Sequence, residues 1–300
     1  MKKNLLITGA TGMLGATLVK VFQKNFEVYA TSTHSNGLDY FKHFKTFDLF
    51  KESYKELMDW ANPEVIIHCA ALTNGNYCEN NPEQAFLING IAVKKILSST
   101  NQNVKIIYIS TDAVFPSNLH LAAEDDCTLP ESVYGKSKEI GEFFLRNSNR
   151  DYKIIRTTIV GFNENKQRQG FLEWIISSVK NKEEIMLFDD VIFTPITIWD
   201  LAKVLRKIIE NFSSISNKIL HVVGTEFCTK YEFGILLLEA INLPKDSIKR
   251  GKISLFIERA KRSNDQTLSC KHSQKILNLN LPSIKDTIEN IKANYKNEHH

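Results

Sequence analysis

No stretch of the 300 residues stays apolar for long enough to span a bilayer, which excludes a membrane-spanning helix. No two of the five cysteines (Cys69, Cys78, Cys127, Cys228 and Cys270) lie within three residues of each other. Neither a zinc site nor a redox pair is therefore indicated, and no metal-binding pattern stands out. An odd, scattered set of this kind fits reduced thiols in a cytoplasmic protein. Basic blocks are also missing. The net charge is +4, with lysines and acids spread along the chain, so a nucleic-acid partner is not expected. There is no internal repeat and no low-complexity linker. The opening MKKNLLITGATGMLG has the two lysines of a signal peptide, but Gly9, Gly12 and Gly15 break its apolar run. What remains is an ordinary globular composition, 43% hydrophobic and 24% charged, in a chain long enough to bury a large core.

Strand-like and helix-like segments alternate from the start. Apolar runs at 4–8, 26–31, 44–47, 64–71, 104–110 and 152–160 read as strands. Between them the spacing predicts helices from about 14, near 51–60, over 82–99 and from Tyr134 onward. Apolar runs separated by helices predict an α/β fold, a Rossmann-type doubly wound parallel sheet. After about residue 161 the rhythm changes. Helices are expected at 170–179, 198–210, 229–241 and 283–294, with strands at 183–188 and 217–224. The expected organisation is a nucleotide-binding part over 1–161 with a returning segment at about 190–223. A smaller C-terminal α/β lobe, for substrate, would cover 162–189 and 224–296.

The loop ITGATGMLG places Gly9, Gly12 and Gly15 between the first strand and the first helix. That is the logic of a dinucleotide site. One glycine permits a tight turn, the next lets backbone approach a pyrophosphate, and the third lets the helix pack on the sheet. The helix N-terminus then offers N–H donors and a positive dipole end to the phosphates. In VYGKSKE, Tyr134 is the one tyrosine of nine with a lysine four residues on, Lys138. The offset puts both on one helix face. A protonated Lys138 would stabilise a phenolate and lower the phenol's pKa from about 10. Alone, the pair would suit a solvated surface equally well.

The GxxGxxG spacing resembles the extended branch of the short-chain dehydrogenase/reductase superfamily, where a Tyr-x-x-x-Lys helix carries the catalytic tyrosine. The resemblance sharpens to the dTDP-4-dehydrorhamnose reductase family. It is carried by AALTNGNYCENNPEQAFLIN (70–89), STDAVF (110–115), PESVYGKSKEIGE (130–142), IIRTTIVG (154–161) and FTPITIWDLAKVL (193–205). Near the C-terminus Arg262, Asp265, Leu268 and Ser269 echo the same family.

This resemblance implies a reductase of the C4 ketone of a nucleotide-linked 4-keto-6-deoxy sugar, with Thr111, Tyr134 and Lys138 as the catalytic group. Thr111, 23 residues before Tyr134, would bind the substrate carbonyl, with Asp112 beside it. Tyr134 would be the general acid, and Lys138 would bind the nicotinamide ribose. Gly9, Thr11, Gly12, Met13 and Leu14 would hold the cofactor at the loop. Asp48 and Leu49 match the family's adenine contact, and Cys69, Ala70 and Ala71 the small residues lying along the cofactor. Ser110, Tyr134 and Lys138 complete that set. At the end of the second strand there is no acidic residue before Asp39 to clasp a ribose diol. Ser32, Thr33 and His34 could instead receive a 2′-phosphate. This favours NADP(H), with NAD(H) left open. Phe171 and Trp174 could stack on the base or cover the sugar, or be plain helix core. Arg262 could meet the pyrophosphate or be one of several solvated charges.

Three departures fall on the substrate side. Ser263 replaces a usual proline, FDDVIFTP lacks a usual glutamine and glycine, and NGN (74–76) replaces an acidic position. Two rivals stay open. One is a nucleotide-sugar epimerase or dehydratase of the same superfamily, against which stands Ala113 after Asp112. The other is a non-catalytic NADP-binding regulatory subunit, as in the β subunit of methionine adenosyltransferase, which resembles this family. A homodimer is also left open.

Overall fold

The computed structural model describes residues 2–35, 39–166, 168–253 and 263–299. In chain order the strands of its main sheet are β1 (Asn4–Thr8), β2 (Glu27–Ser32), β3 (His43–Thr46), β4 (Val65–His68), β5 (Lys105–Thr111) and β6 (Tyr152–Thr157). The lobe interleaves β7 (Ile159–Val160), β8 (Ile185–Phe188), β9 (Ile192–Phe193) and β10 (Ile196–Thr197) before β11 (Ile219–His221) returns to that sheet. β12 (Cys228–Thr229), β13 (Ile248–Gly251) and β14 (Asp265–Gln266) follow. The helices are α1 (Met13–Phe22), α2 (Tyr54–Ala61), α3 (Gly75–Asn80), α4 (Pro82–Ala85), α5 (Ala92–Ser99), α6 (Val133–Arg146) and α7 (Phe171–Lys180). The last four are α8 (Ile198–Glu210), α9 (Lys230–Ala240), α10 (Lys271–Leu277) and α11 (Ile284–His299).

The seven-stranded sheet runs β11-β6-β5-β4-β1-β2-β3, every pair parallel. Both faces are covered, as its continuous Val/Ile runs require. Alternate residues divide between them. Leu5, Ile7, Ile67, Ile107 and Ile155 pack towards α1 and α8, whereas Leu6, Ile66, Ile106, Tyr108 and Ile154 pack towards α2, α5 and α6. α8 is fixed by the same logic. Ile198, Leu201, Ala202, Leu205, Ile208 and Ile209 make one buried stripe, and the Thr197 hydroxyl caps the helix by accepting from Asp200 N at 3.0 Å. Strand order reverses at β1, between β4 and β2. The crevice outside their C-terminal ends is where this architecture binds ligands.

A separate apolar cluster holds the lobe, with Leu172, Ile175, Leu187, Phe193, Phe233 and Leu237 buried among α7, α9 and the short strands. There β8 pairs with β13, and β9 lies between β12 and β14.

α3, α10, β13 and the two-residue strands β9, β10, β12 and β14 have no counterpart among the expected elements, and two expected segments are broken. The helix expected over 82–99 is α4, a π-helical turn over Phe86–Ile91, then α5. The widened turn buries Asn89 and Gly90 against α6, where a Cβ on Gly90 would lie 2.7 Å from Ile140 Cγ2. The run 152–160 is two strands. Thr158 O accepts from Ile196 N at 3.1 Å, and β7 pairs with β10 rather than with the main sheet.

Candidate active site

Gly9 leaves β1 in the left-handed region, φ +68°, which only glycine adopts without strain. A Cβ there would meet the Ala70 backbone at 2.7 Å, so the loop lies flush on the Cys69–Ala71 segment. Cys69 N and Ala70 N donate to Thr8 O and Thr8 Oγ1, both at 3.3 Å. Gly12 caps α1 with no side-chain hydrogen bond and no acid in the first turn. Its first N–H groups are thus left for an anion. Leu14 is buried below, with Met13 packed against the same core. Thr11 and Ser32 join their hydroxyls at 2.7 Å, and Thr33 and His34 lie exposed just beyond. Phe47 N donates to Ser32 O, which brings Asp48 and Leu49 alongside. Asp48 accepts from Phe50 N and Leu49 O from the Tyr54 hydroxyl, each at 2.9 Å. A flush glycine turn, an uncapped helix N-terminus and a hydroxyl cluster in place of an acid fit a dinucleotide with a phosphorylated ribose.

The residues expected to form the catalytic group stand at the next strand ends. Ser132 caps α6 by accepting from Gly135 N at 3.0 Å, which sets Tyr134 on the first turn. Tyr134 and Lys138 then face β5. Lys138 Nζ is buried, donates to Ile109 O at 2.7 Å and lies 4.0 Å above the centroid of the Tyr108 ring. Thr111 donates to Asp112 Oδ1 at 2.9 Å. Thr111, Asp112 and Tyr134 share one cleft of about 240 Å³ with Thr73, Ser263 and Gln266.

Burial decides the protonation states. It pushes Lys138 down to about 7, against the opposing pull of Glu142 and Cys69. It raises Asp112, which the Thr111 hydrogen bond and the Lys230 charge oppose. Tyr134 opens onto the cleft at one edge, yet burial and then Asp112 hold its phenol above the ordinary value, while Thr111 pulls it down. The expected lowering of that phenol by Lys138 is therefore not seen. Desolvation dominates and Lys138 is not among the charges acting on Tyr134; the protonated phenol is the form a general acid needs.

Behind these groups lies an ion pair that the sequence reading missed. Arg156 on β6 binds Glu142 on α6 through Nη2 at 2.7 Å and Nε at 3.0 Å, with both side chains sealed. Ser110, expected to touch cofactor, donates to Glu142 Oε1 at 2.6 Å and is buried. The signal available was Glu142 itself, four residues past Lys138 and so on the same helix face. The substrate-side residues are more dispersed. Phe171 packs on Phe193 and Phe233 in the lobe core, and Trp174 stacks outside it. Neither lines the cleft described above. Arg262 lies outside the described residues.

A family model described as RmlD substrate binding domain matches residues 2–297. The spore coat polysaccharide biosynthesis protein SpsK of Bacillus subtilis is 31% identical over 80% of this chain and 80% of its own. The methionine adenosyltransferase 2 subunit beta of Xenopus laevis is 30% identical over 82% of this chain and 75% of its own. The crystal structure of dTDP-4-dehydrorhamnose reductase from Bacillus anthracis in complex with NADP superposes with a TM-score of 0.86 at 26% identity. It covers 98% of this chain and 100% of that one.

Proposed function

The chain belongs to the RmlD substrate binding domain family, and from that membership we propose that it is an NAD(P)H-dependent reductase of the C4 ketone of a nucleotide-linked 4-keto-6-deoxy sugar. The observation that carries this reading is the wall of the cleft. Thr111, Asp112 and Tyr134 converge there, with Lys138 one helical turn behind Tyr134 and the glycine crevice adjacent.

Residues Gly9, Thr11, Gly12, Met13 and Leu14 would hold the dinucleotide phosphates, and Ser32 and Thr33 the adenosine ribose phosphate. Asp48, Leu49 and Cys69–Ala71 would flank it. The hydroxyl pair without an acid supports NADP(H). Bound there, reduced nicotinamide supplies hydride to a ketone carbon. The chain's own part is the oxygen. The Thr111 hydroxyl and Tyr134 phenol donate to it as negative charge develops, and Tyr134 gives up its proton. Lys138, one turn along, supplies positive charge to the phenolate left behind. In the structure the single Thr111 proton goes to Asp112 Oδ1, so Thr111 would donate to the ketone only by swinging that proton from Asp112 to the substrate oxygen. Ser110 works one layer back, through Glu142.

The same reading divides the chain into a nucleotide-binding part, 1–161 with about 190–223, and a sugar-binding lobe over 162–189 and 224–296. The return of β11 and α8 to the main sheet supports that division. Five unpaired cysteines support a cytoplasmic setting. No described helix is long and apolar enough to cross a membrane.

Replacing Tyr134 with Phe tests the assignment. NADPH oxidation should fall by roughly 10²–10⁴-fold while NADPH binding is retained. Unchanged turnover removes Tyr134 from the mechanism. A second reading, a regulatory subunit, draws on the likeness to methionine adenosyltransferase 2 subunit beta. NADPH binding without turnover on any sugar favours it.

A further inference from the structure

Tyr108 belongs to none of the roles above, yet it is the largest group beneath the catalytic lysine. It is fully buried. Its ring lies under Lys138 Nζ, 4.0 Å from the centroid. Its hydroxyl spans to the far side, donating to Asn89 O at 2.9 Å in the π-helical turn and lying 3.3 Å from the Lys138 carbonyl. Both neighbours make room for it. A Cβ on Gly141 would stand 2.5 Å from the Tyr108 hydroxyl and 2.7 Å from Cζ, so α6 reaches this depth because residue 141 has no side chain. The π turn likewise presents Asn89 O where an uninterrupted α-helix would hold that carbonyl in its own ladder. On the adjacent strand His68 lies beside the ring, 5.8 Å between centroids and 18° from parallel.

We propose that Tyr108 is the positioning residue for Lys138: its π-face keeps the buried lysine cationic and aimed at Tyr134, while its hydroxyl fixes the helix that carries both. The inference deepens the reductase reading and rests on it for the meaning of that charge. The reason is dielectric. An ammonium in a buried site loses its water, and Ile109 O satisfies only one of its three donors. An aromatic face is one surface that attracts a cation without itself carrying a charge to be desolvated. The groups facing Lys138 are Tyr134 and Glu142 one turn either side on its own helix, His68 and Cys69 from β4 and the residue after it, and Tyr108 from β5. Glu142 also attracts the lysine, but two Arg156 contacts and the Ser110 hydroxyl already engage its oxygens. Tyr108 is the contact given over to the ammonium.

The test replaces Tyr108 with Phe, then with mono-, di- and trifluorophenylalanine, in the full chain. Tyr108→Phe is the reference, because it already lacks the bond to Asn89 O; the fluorinated variants keep its ring shape and differ from it only in the drained π-face, and urea unfolding confirms that each is folded. NMR of isotope-labelled lysine, with Lys138 assigned from its absence in Lys138→Met, reads its titration directly. The expected result is a midpoint near the wild-type value for Phe, falling stepwise with fluorination by roughly one pH unit across the series. The alkaline limb of NADPH-dependent turnover should move down in parallel. A midpoint indifferent to fluorination overturns the proposal. Wild-type protein that turns over no sugar, with the NMR trend intact, overturns the reductase reading and leaves the Tyr108–Lys138 relationship standing.

Discussion

Arg156 closes on Glu142 with two hydrogen bonds, at 2.7 and 3.0 Å, and neither side chain reaches solvent. The pair ties β6 to the helix that carries Tyr134 and Lys138. Through Ser110 it also holds the residue before Thr111. Removing one partner strands the other as a buried charge, which costs about 3–5 kcal/mol. Arg156→Met should therefore lower the urea midpoint severely. The double variant Arg156→Met/Glu142→Met should recover much of the loss, because the stranded carboxylate is gone. A single variant within about 1 kcal/mol of wild type contradicts this account.

Burying Lys138 costs the fold stability. Its folded value, about 7, lies below its ordinary 10.5. Between those values the unfolded chain binds the proton that the folded chain releases. Wild-type stability therefore rises with pH through that window. Lys138→Met should flatten the rise and, at neutral pH, gain on the order of 1 kcal/mol while losing turnover. Loss of stability in Lys138→Met, measured by urea unfolding, would contradict it.

Acid sensitivity should arise from two buried histidines. Burial, reinforced by Lys138 for His68 and by Arg156 for His221, pushes each imidazole from 6.5 down to about 3. A neutral imidazole is held in the folded state, so the stabilisation is complete above 6.5 and is lost as pH falls from there towards 3. Each contributes a slope of about 1.4 kcal/mol per pH unit. The urea midpoint should drop between about pH 6.5 and 5, above the ordinary carboxylate range. His68→Gln should reduce that slope by one proton. A flat midpoint across the window counts against neutral burial of both rings.

How much of this could be read beforehand follows from chain distance. The sheet was legible because β1, β4 and β5 carry continuous apolar runs, and the alternation of strand and helix supplies its connections. Tyr134 and Lys138 were legible because both lie on one helix. Glu142 and Arg156 were not. They sit on a helix and a strand, and only the packing of α6 on β6 makes them partners. Ser110 looks like a cofactor residue from its place at a strand end, but the same packing turns its hydroxyl to Glu142. The two-residue strands β9, β12 and β14 are shorter than any periodicity, and pairing alone defines them. The break in 82–99 is likewise tertiary, set by Asn89 and Gly90 meeting α6. Ser263 and Gln266 reach the cleft only because β14 pairs with β9.

The most direct measurement is NADPH oxidation by the purified chain against 4-keto-6-deoxy sugars carried on dTDP, UDP, GDP or CDP, followed by loss of NADPH absorbance. Turnover with at least one of them is expected, lost in Tyr134→Phe, and the productive member identifies the base. Tight NADPH binding with no turnover on any member would contradict that expectation.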